Sequence, residues 1–242
     1  MIPINKQAPE KREDHPHGLI RVHSMFYTIQ GEGPYVGVPA VFVRLAGCNL
    51  QCPGCDTEYS GGVYESPDSI ATRVRQLFGA SDRGPLGSPL VVITGGEPFR
   101  QNITPLIEEL YDRGYQIQVE TNGTMPFHVD NRRDLYSRFG IVVSPKAGKI
   151  HNSIKPYVIA YKYVLNYGNI DPKDGLPTSV LGMPAAPARP HDERIRVYVQ
   201  AADEPEREGN AKNKVNMAIA IDSAMRFGYT LCIQTHKIVG LE

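Results

Sequence analysis

Residues 39–60 read PAVFVRLAGCNLQCPGCDTEYS and join an apolar segment to a loop that holds three cysteines. The segment PAVFVRL (39–45) is rich in β-branched and aromatic residues, which predicts a strand. Residues 46–60, the cysteine loop, contain Cys48, Cys52 and Cys55, whereas Cys232 lies far along the chain. Because ligands bind at the carboxyl ends of parallel strands, this arrangement predicts a site at that edge of a sheet.

The composition excludes several classes of protein. The 242 residues include 26 basic and 26 acidic side chains, so the formal net charge at pH 7 is zero. That balance argues against a nucleic-acid partner, which selects for a basic excess. The sequence has neither an apolar run of membrane-spanning length nor an apolar signal segment near its start, so it predicts a cytoplasmic protein without a membrane partner. Thiols in that compartment are expected to be reduced.

Strands and helices are predicted to alternate along the chain. Six more segments have strand composition: 89–94, 115–120, 140–144, 161–165, 194–200 and 229–234. Helical patterns begin at Ser66 and Pro67, run from Ile103 to Gly114, and cover 211–227. No comparable helix separates the fourth, fifth and sixth predicted strands. We therefore expect an α/β fold, a partial (β/α) barrel of about six parallel strands with an incomplete helical coat.

Two segments stand apart from this pattern. Residues 1–18 are polar with charges of both signs, which predicts a mobile leader. Residues 166–193 hold five prolines and little periodicity, which favours a surface insertion over a second domain. Residues 19–242 are therefore expected to form one domain interrupted by that insertion.

Polar residues follow most of the predicted strands. The segments are TGGEP (94–98), ETNG (120–123), SPK (144–146), QAAD (200–203) and QTHK (234–237), in addition to the cysteine loop. Turn and cap chemistry explains part of this pattern. Since parallel strands bring their carboxyl ends to one edge, the repetition indicates one shared site.

The cysteine spacing C-x3-C-x2-C predicts a metal centre. Thiolates are suited to iron–sulfur clusters and to zinc. Three cysteines on a four-iron cluster leave one iron open to a small molecule, which gives the number three a chemical use. A structural zinc ion needs a fourth ligand, which Cys232, His23 or His236 would have to supply through the fold. A disulfide would leave one cysteine unpaired.

The combination of this spacing with GGEP after the second predicted strand resembles the radical SAM superfamily. The segment FYTIQGEGPYVGVPAVFVRLAGCNLQCPGCDTEYS (26–60) is similar to the 7-carboxy-7-deazaguanine synthase family. The resemblance implies a [4Fe–4S] cluster, S-adenosylmethionine (SAM) and Mg²⁺. It also implies conversion of 6-carboxy-5,6,7,8-tetrahydropterin to 7-carboxy-7-deazaguanine and ammonia on the way to queuosine and other 7-deazapurines. A homodimer and an electron donor such as flavodoxin or ferredoxin are implied as partners.

The resemblance also implies roles for individual residues. The cluster ligands are Cys48, Cys52 and Cys55, and the Mg²⁺ ligand is Thr57. The SAM-binding residues are Gly54, Asp56, Gly96, Glu97, Ser144, Lys146 and Gln200. The substrate-binding residues are Ile29, Gln30, Gly31, Glu32, Arg44, Thr94 and His236. Cys232 is expected to pack in the core as a small hydrophobe.

Other interpretations of the same residues remain open at this level. QGEGP also suits a plain Gly-Pro turn, although it lacks the ending of a phosphate-binding loop. A glycyl-radical-enzyme activase has the same cysteine spacing but acts on a protein and needs no pterin pocket. A non-catalytic zinc module would hold zinc and no iron.

Overall fold

A computed structural model describes residues 4–79, 85–127, 137–203 and 212–241. The strands in these ranges are β1 (Ile20–Ile29), β2 (Pro39–Leu45), β3 (Val63–Glu65), β4 (Leu90–Gly95), β5 (Gln116–Thr121), β6 (Phe139–Val143), β7 (Val158–Leu165), β8 (Arg196–Ala201) and β9 (Thr230–Cys232). The α-helices are α1 (Pro67–Phe78), α2 (Thr104–Asp112), α3 (Lys212–Phe227) and α4 (Thr235–Ile238). Among the described residues, no helix is long and apolar enough to cross a membrane.

All nine strands form one sheet in the order β3-β1-β2-β4-β5-β6-β7-β8-β9. From β2 onward each strand is parallel to the next, whereas β1 and β3 pair antiparallel at one end of the sheet. The seven predicted strands and the α/β class with a mostly parallel sheet are confirmed. The sheet is nonetheless larger than the six or so parallel strands that the sequence predicts.

The sequence missed β1 and β3. β1 carries polar or charged residues at Arg21, His23 and Ser24, and its pairing register shifts between Val22 and Ser24. These features interrupt the alternation that identifies a strand. β3 is only three residues long. Both strands form through pairing with distant partners, which a local pattern does not reveal.

The predicted helix boundaries are confirmed where the structure describes them. Ser66 accepts a hydrogen bond from the backbone N–H of Ser69, and Pro67 occupies the first turn of α1. This is the N-cap arrangement that the sequence indicated. Gly114 and Gly228, which follow α2 and α3, have positive φ values of 88° and 73°. Residue 211, the predicted start of the third helix, lies outside the described residues.

The main core lies between the helices and one face of the sheet. Alternate strand residues such as Val43 and Val119 form one buried cluster with Ile70 of α1 and Leu106 of α2. Because successive strand residues point to opposite faces, the intervening residues lie on the other side. That side, opposite α1 and α2, is the site face.

The proline-rich insertion is packed where a crossover helix would lie between β7 and β8. Leu176 belongs to the main core cluster, and the Tyr163 hydroxyl donates to the carbonyl oxygen of Ala188 at 2.6 Å. The side chain of Ser223 on α3 donates to Gly175 O at 2.7 Å. The insertion thus covers the helix side of the sheet that the sequence predicted to be incompletely coated.

The middle part of the leader that the sequence predicts to be mobile makes contacts with the rest of the fold. Residues 5–13 are hydrogen-bonded to the cysteine loop and to the turn after β4. Asn5 is 8% exposed, and Glu13 forms an ion pair with the buried Arg100. The side chains of Asn5, Gln7, Glu10 and Glu13 thus find partners in distant parts of the chain, which the sequence does not reveal.

Candidate active site

The candidate site lies at the carboxyl ends of the parallel strands, on the site face. Five strands contribute Arg44, Thr94, Glu120, Lys162 and Gln200. Each alternates with neighbours that belong to the main core cluster, so all five lie on the same side of the sheet. Arg44, Thr94 and Glu120 form one row, whereas Lys162 and Gln200 lie further along β7 and β8 on the same face.

The register places two predicted substrate residues side by side. Arg44 of β2 is paired with Thr94 of β4 in the parallel ladder. The Thr94 hydroxyl donates to Glu120 Oε2 at 3.4 Å, which continues the row to β5. The Arg44 guanidinium lies 5.1 Å from the ring centroid of Phe26, where the aromatic face stabilises the cation.

Glu32 is held from two distant parts of the chain. Its carboxylate forms an ion pair and hydrogen bond with Lys162 of β7, and it accepts from Gln234 Nε2 at 2.7 Å. The exposed fractions of the Glu32 and Lys162 side chains are 14% and 11%. Burial alone would raise the pKa of Glu32, but the charge and hydrogen bond of Lys162 outweigh it and lower the pKa to about 2. Glu32 is therefore ionised at neutral pH.

The C-terminal segment, QTHK (234–237), contacts the QGEG loop, residues 30–33. The backbone N–H of Thr235 donates to Gly31 O at 3.2 Å. A Cβ atom at Gly31 would lie 1.8 Å from Nδ1 of His236, so only glycine permits the ring to occupy this place. Two segments about 200 residues apart, both predicted to bind substrate, are thus brought into contact.

Glu120 joins several side chains of the site and was not predicted as a site residue. Gln30 Nε2 and Gln118 Nε2 each donate to Glu120 Oε1 at 3.0 Å. Glu32, Glu120 and their partners Gln30, Gln118, Lys162 and Gln234 form the carboxylate network. The buried Gln118 Oε1 has no hydrogen-bond partner among the described residues. An acceptor in that state favours a donor from a bound molecule.

Lys162, Gln118 and Glu120 are the functional residues that sequence reasoning missed. Lys162 interrupts the apolar strand segment YKYVL, and Glu120 ends the strand before TNG. The signal that identifies them is strand alternation, which places all three on the side opposite the core. Their partners, however, are fixed by the tertiary structure.

The GGEP segment lies against the start of the cysteine loop. Glu97 N donates to Gly47 O at 3.0 Å, and a Cβ atom at Gly96 would lie 2.1 Å from that same oxygen. The Glu97 side chain is fully buried and accepts from Thr121 Oγ1 at 2.7 Å and Asn122 N at 2.8 Å. Glu97 Oε1 also accepts from Phe99 N at 3.0 Å, so three of the about four acceptor positions of the carboxylate are occupied and one is left for a ligand donor.

Lys146, Ser144 and Gln200, three of the predicted SAM-binding residues, also lie at strand ends. Lys146 Nζ donates to Ser144 Oγ at 2.6 Å, and burial lowers the pKa of Lys146 to about 8, although the nearby Cys52 raises it. The buried Gln200 Oε1 has no hydrogen-bond partner in the described part of the chain. That orphaned acceptor fits a ligand that supplies a donor.

The cysteine loop supplies the donor chemistry of an iron–sulfur cluster. Each of the four cysteines, all within the described ranges, is a free thiol, which excludes the disulfide. Burial raises the pKa of all three loop thiols, for Cys48 to about 12, and charge repulsion from Cys55 further raises the pKa of Cys48 and Cys52. Three thiols close enough to interact in this way suit thiolate ligation of iron.

The thiols are not preset around a metal position. Among residues 4–79, 85–127, 137–203 and 212–241, no group of three His, Cys, Asp or Glu side chains is arranged to hold a metal ion. The three proposed fourth ligands for zinc lie elsewhere: Cys232 Sγ accepts from Gly33 N, His23 contacts Ser24, and His236 lies against Gly31. Each of these three side chains therefore has another contact in the described part of the chain.

Gly54, Asp56 and Thr57 complete the loop. The Gly54 N–H donates to Leu181 O at 2.9 Å, so this group is engaged by the insertion rather than by the strand ends. Thr57 Oγ1 lies 3.5 Å from Asp56 Oδ1. Hydroxyl and carboxylate oxygens are the ligands that Mg²⁺ prefers. One or two protein oxygens provide only part of an octahedral shell, so such an ion requires ligands from water or substrate.

Comparison with known proteins identifies relatives over most of the chain, although no family model matches. The 7-carboxy-7-deazaguanine synthase of Rhodospirillum rubrum is 41% identical over 226 residues, which cover 90% of this chain and 91% of the relative. The synthase of Rickettsia prowazekii is 36% identical over 228 residues, covering 92% and 89%.

A crystal structure of QueE from Escherichia coli has the same fold. Its TM-score is 0.61 at 19% identity, and the match covers 89% of this chain and 93% of that one. The sequence relatives, rather than this fold likeness, decide the family. The chain belongs to the 7-carboxy-7-deazaguanine synthase family.

Proposed function

We propose that this protein converts 6-carboxy-5,6,7,8-tetrahydropterin to 7-carboxy-7-deazaguanine with loss of ammonia. The observation that carries the proposal is the convergence of the QGEG loop, β7 and the C-terminal segment on Glu32. A pterin presents adjacent N–H donors along its pyrimidine edge, and an ionised carboxylate accepts such donors well. Because Lys162 keeps the pKa of Glu32 at about 2, the acceptor persists at physiological pH.

The remaining polar residues match the other parts of such a substrate. The Arg44 guanidinium is suited to the substrate carboxylate, since its planar fork binds a carboxylate through two hydrogen bonds. Glu120 and the unpartnered Gln118 oxygen offer further acceptors for ring N–H groups. His236 lies against Gly31 of the QGEG loop. From there its imidazole would orient the pterin ring. Ile29, Gln30 and Thr94 complete the proposed substrate surface.

The cofactors are part of the proposal. A [4Fe–4S] cluster with bound SAM would supply an adenosyl radical for hydrogen abstraction, and Cys48, Cys52 and Cys55 would hold the cluster. Gly96, Glu97, Ser144, Lys146 and Gln200, together with Gly54 and Asp56, would bind SAM. Thr57 would hold Mg²⁺ together with substrate oxygens. The unpartnered Gln200 oxygen and the close approach of GGEP to the cysteine loop support this assignment.

An electron donor of the flavodoxin or ferredoxin type and assembly as a homodimer are the partners that we propose. Both follow from the family resemblance. A cytoplasmic location suits a reduced cluster and free thiols.

Anaerobic reconstitution followed by a turnover assay tests the proposal. Protein loaded with iron and sulfide, then supplied with SAM, Mg²⁺, dithionite and the carboxy-tetrahydropterin, should yield 7-carboxy-7-deazaguanine and ammonia in equal amounts. Cleavage of SAM without ring contraction would reject the substrate. About one zinc and no iron per chain in anaerobically purified protein would reject the radical chemistry.

Thr57→Ala separates the Mg²⁺ site from the cluster. This variant should keep the visible absorbance of the reconstituted protein while losing the response of its turnover to added Mg²⁺. Loss of that absorbance would mean that Thr57 supports the cluster instead.

A further inference from the structure

Two segments that have no role in the proposed chemistry form hydrogen bonds to the cysteine loop. One is the N-terminal strap, residues 5–13, and the other is the turn Leu181–Gly182 of the insertion. They meet at neighbouring residues: Asn5 N donates to Pro53 O and Gly54 N donates to Leu181 O, both at 2.9 Å. Pro53 and Gly54 are the two residues between Cys52 and Cys55. The spacing of these two ligands is therefore held from both sides.

Asn5 uses its side chain on the same turn. Its Nδ2 donates to the carbonyl oxygen of Cys52 at 3.3 Å and to the Tyr59 hydroxyl at 2.9 Å. The residue is 8% exposed and Tyr59 is 2% exposed, so these bonds form away from bulk water. Buried polar groups that lose such partners are costly, which makes the contacts directional constraints on the loop.

Gln7 binds the C-terminal part of the cysteine loop through both the nitrogen and the oxygen of its side-chain amide. Its Nε2 donates to Thr57 O at 2.9 Å, and its Oε1 accepts from Tyr59 N at 2.8 Å. Glu10 N donates to the carbonyl oxygen of Cys48 at 2.7 Å. The strap thus binds the backbone carbonyl groups of Cys48 and Cys52 and, two residues after Cys55, that of Thr57.

The strap is itself anchored next to the GGEP segment. Arg100, which is 1% exposed, pairs with Glu13 at 3.1 Å and Glu10 at 3.3 Å, and donates to Lys11 O at 3.0 Å. Glu13 N donates back to Arg100 O at 2.8 Å. Because the anchor belongs to the turn after β4, the strap ties the cysteine loop to the neighbouring strand end.

The insertion holds its side of the turn through a disfavoured backbone conformation. Leu181 has φ 51°, the only positive φ of a non-glycine residue in the described part of the chain. A Cβ atom at Gly182 would lie 3.2 Å from Cβ of Pro53. Left-handed leucine persists only where its surroundings hold it.

We propose that Asn5 and Gln7 are positioning residues for the cluster. They hold the backbone of the loop from which Cys48, Cys52 and Cys55 would bind the cluster, while their own side chains would touch neither cluster nor substrate. The inference rests on the proposed function for the presence of the cluster. The contacts that hold the loop are independent of it.

Hydrogen exchange on the full-length protein without a cluster tests the structural part. In Gln7→Ala the Tyr59 amide should exchange about three- to tenfold faster, as expected for loss of one hydrogen bond. Gln7→Glu keeps the acceptor for Tyr59 N and should preserve its protection while losing the bond to Thr57 O. Lys6→Ala, an exposed position on the same strap, is the matched control and should change nothing.

Cluster retention tests the functional part. After anaerobic reconstitution, a chelator is added and the decay of visible absorbance is followed; Asn5→Ala and Gln7→Ala should lose the cluster several-fold faster than wild type and Lys6→Ala. Equal decay rates would overturn the inference. If the wild type assembles no cluster, the proposed function fails, and unchanged Tyr59 exchange in Gln7→Ala would separately remove the positioning role.

Discussion

The carboxylate network and the cysteine loop lie at the same edge of the sheet but are built differently. In the network, side chains from β5, β7 and the C-terminal segment bind Glu32 and Glu120 through charged hydrogen bonds. In the cysteine loop the thiols have only long contacts, such as 3.5 Å from Leu50 N to Cys48 Sγ, while the backbone is held by other segments.

The difference is that the side chains of the carboxylate network already bind one another, whereas the thiols of the cysteine loop are free to bind a ligand. Most of the network is in place without substrate, because Lys162 pairs with Glu32 and the side-chain amides donate to both carboxylates, and the Gln118 oxygen is left for a ligand. The cysteine loop keeps its thiols available and places its constraints on carbonyl and N–H groups. The carboxylate network thus adjoins a loop whose side chains the proposed metal centre would complete.

The largest effect is expected from Cys52→Ala. This variant should lose the visible absorbance of the reconstituted cluster and all turnover, because two thiolates do not hold a four-iron cluster. Cys232→Ala is the matched control, since Cys232 packs in a separate buried cluster and accepts from Gly33 N. It should retain iron and absorbance. Iron analysis and visible spectra decide the comparison, and loss of iron in Cys232→Ala would contradict the assignment of three ligands.

The network should respond in stability rather than in metal content. Lys162→Met should lower the free energy of unfolding by about 3 kcal/mol, because it leaves the Glu32 carboxylate buried without its cation. The double variant Glu32→Gln with Lys162→Met should be more stable than Lys162→Met alone. Urea denaturation of the metal-free proteins measures both. A double variant that is less stable than Lys162→Met would show that the ion pair is not the source of the loss.

The same pair predicts an acid-dependent stability. The pKa of Glu32 is about 2 in the folded protein and about 4.5 when unfolded, so its stabilisation is complete above about pH 4.5 and is lost as pH falls toward 2. Lys162 and the nearby His236 and Lys146 act on this carboxylate. Between pH 6 and pH 3, wild type should lose about 2 kcal/mol more than Glu32→Gln. Parallel pH profiles would contradict the lowered pKa.

The smallest effect concerns the contact between Gly31 and His236. Gly31→Ala should displace the imidazole, whose Nδ1 would lie 1.8 Å from the new Cβ, and should raise KM about tenfold with little change in unfolding free energy. The ring is able to rotate away, which explains the small cost in stability. In a background that already carries His236→Ala, Gly31→Ala should have little further effect on KM. A further tenfold rise in KM in that background would show that the effect of Gly31→Ala does not act through the contact with His236.

The sequence determined the strands with dense β-branched composition, the helix that begins at Ser66, and the spacing of the three cysteines in their loop. These are local properties, because strand alternation, a capping residue and ligand spacing are written in consecutive residues. It also indicated Glu32, Arg44 and His236 through the family resemblance. β1 escaped prediction because its charged residues and irregular register interrupt the pattern.

Only the tertiary structure decided which residues meet. Lys162 and Glu32 are 130 positions apart, and Gln234 and Glu32 are 202 apart. Likewise, Asn5 and Gln7 acquire a role only because the strap returns to the cysteine loop. A polar residue in isolation is satisfied by water, so its sequence neighbours do not specify a partner. Burial removes the water. The partners that the fold then supplies determine whether the residue stays charged, holds a loop in place or belongs to the site.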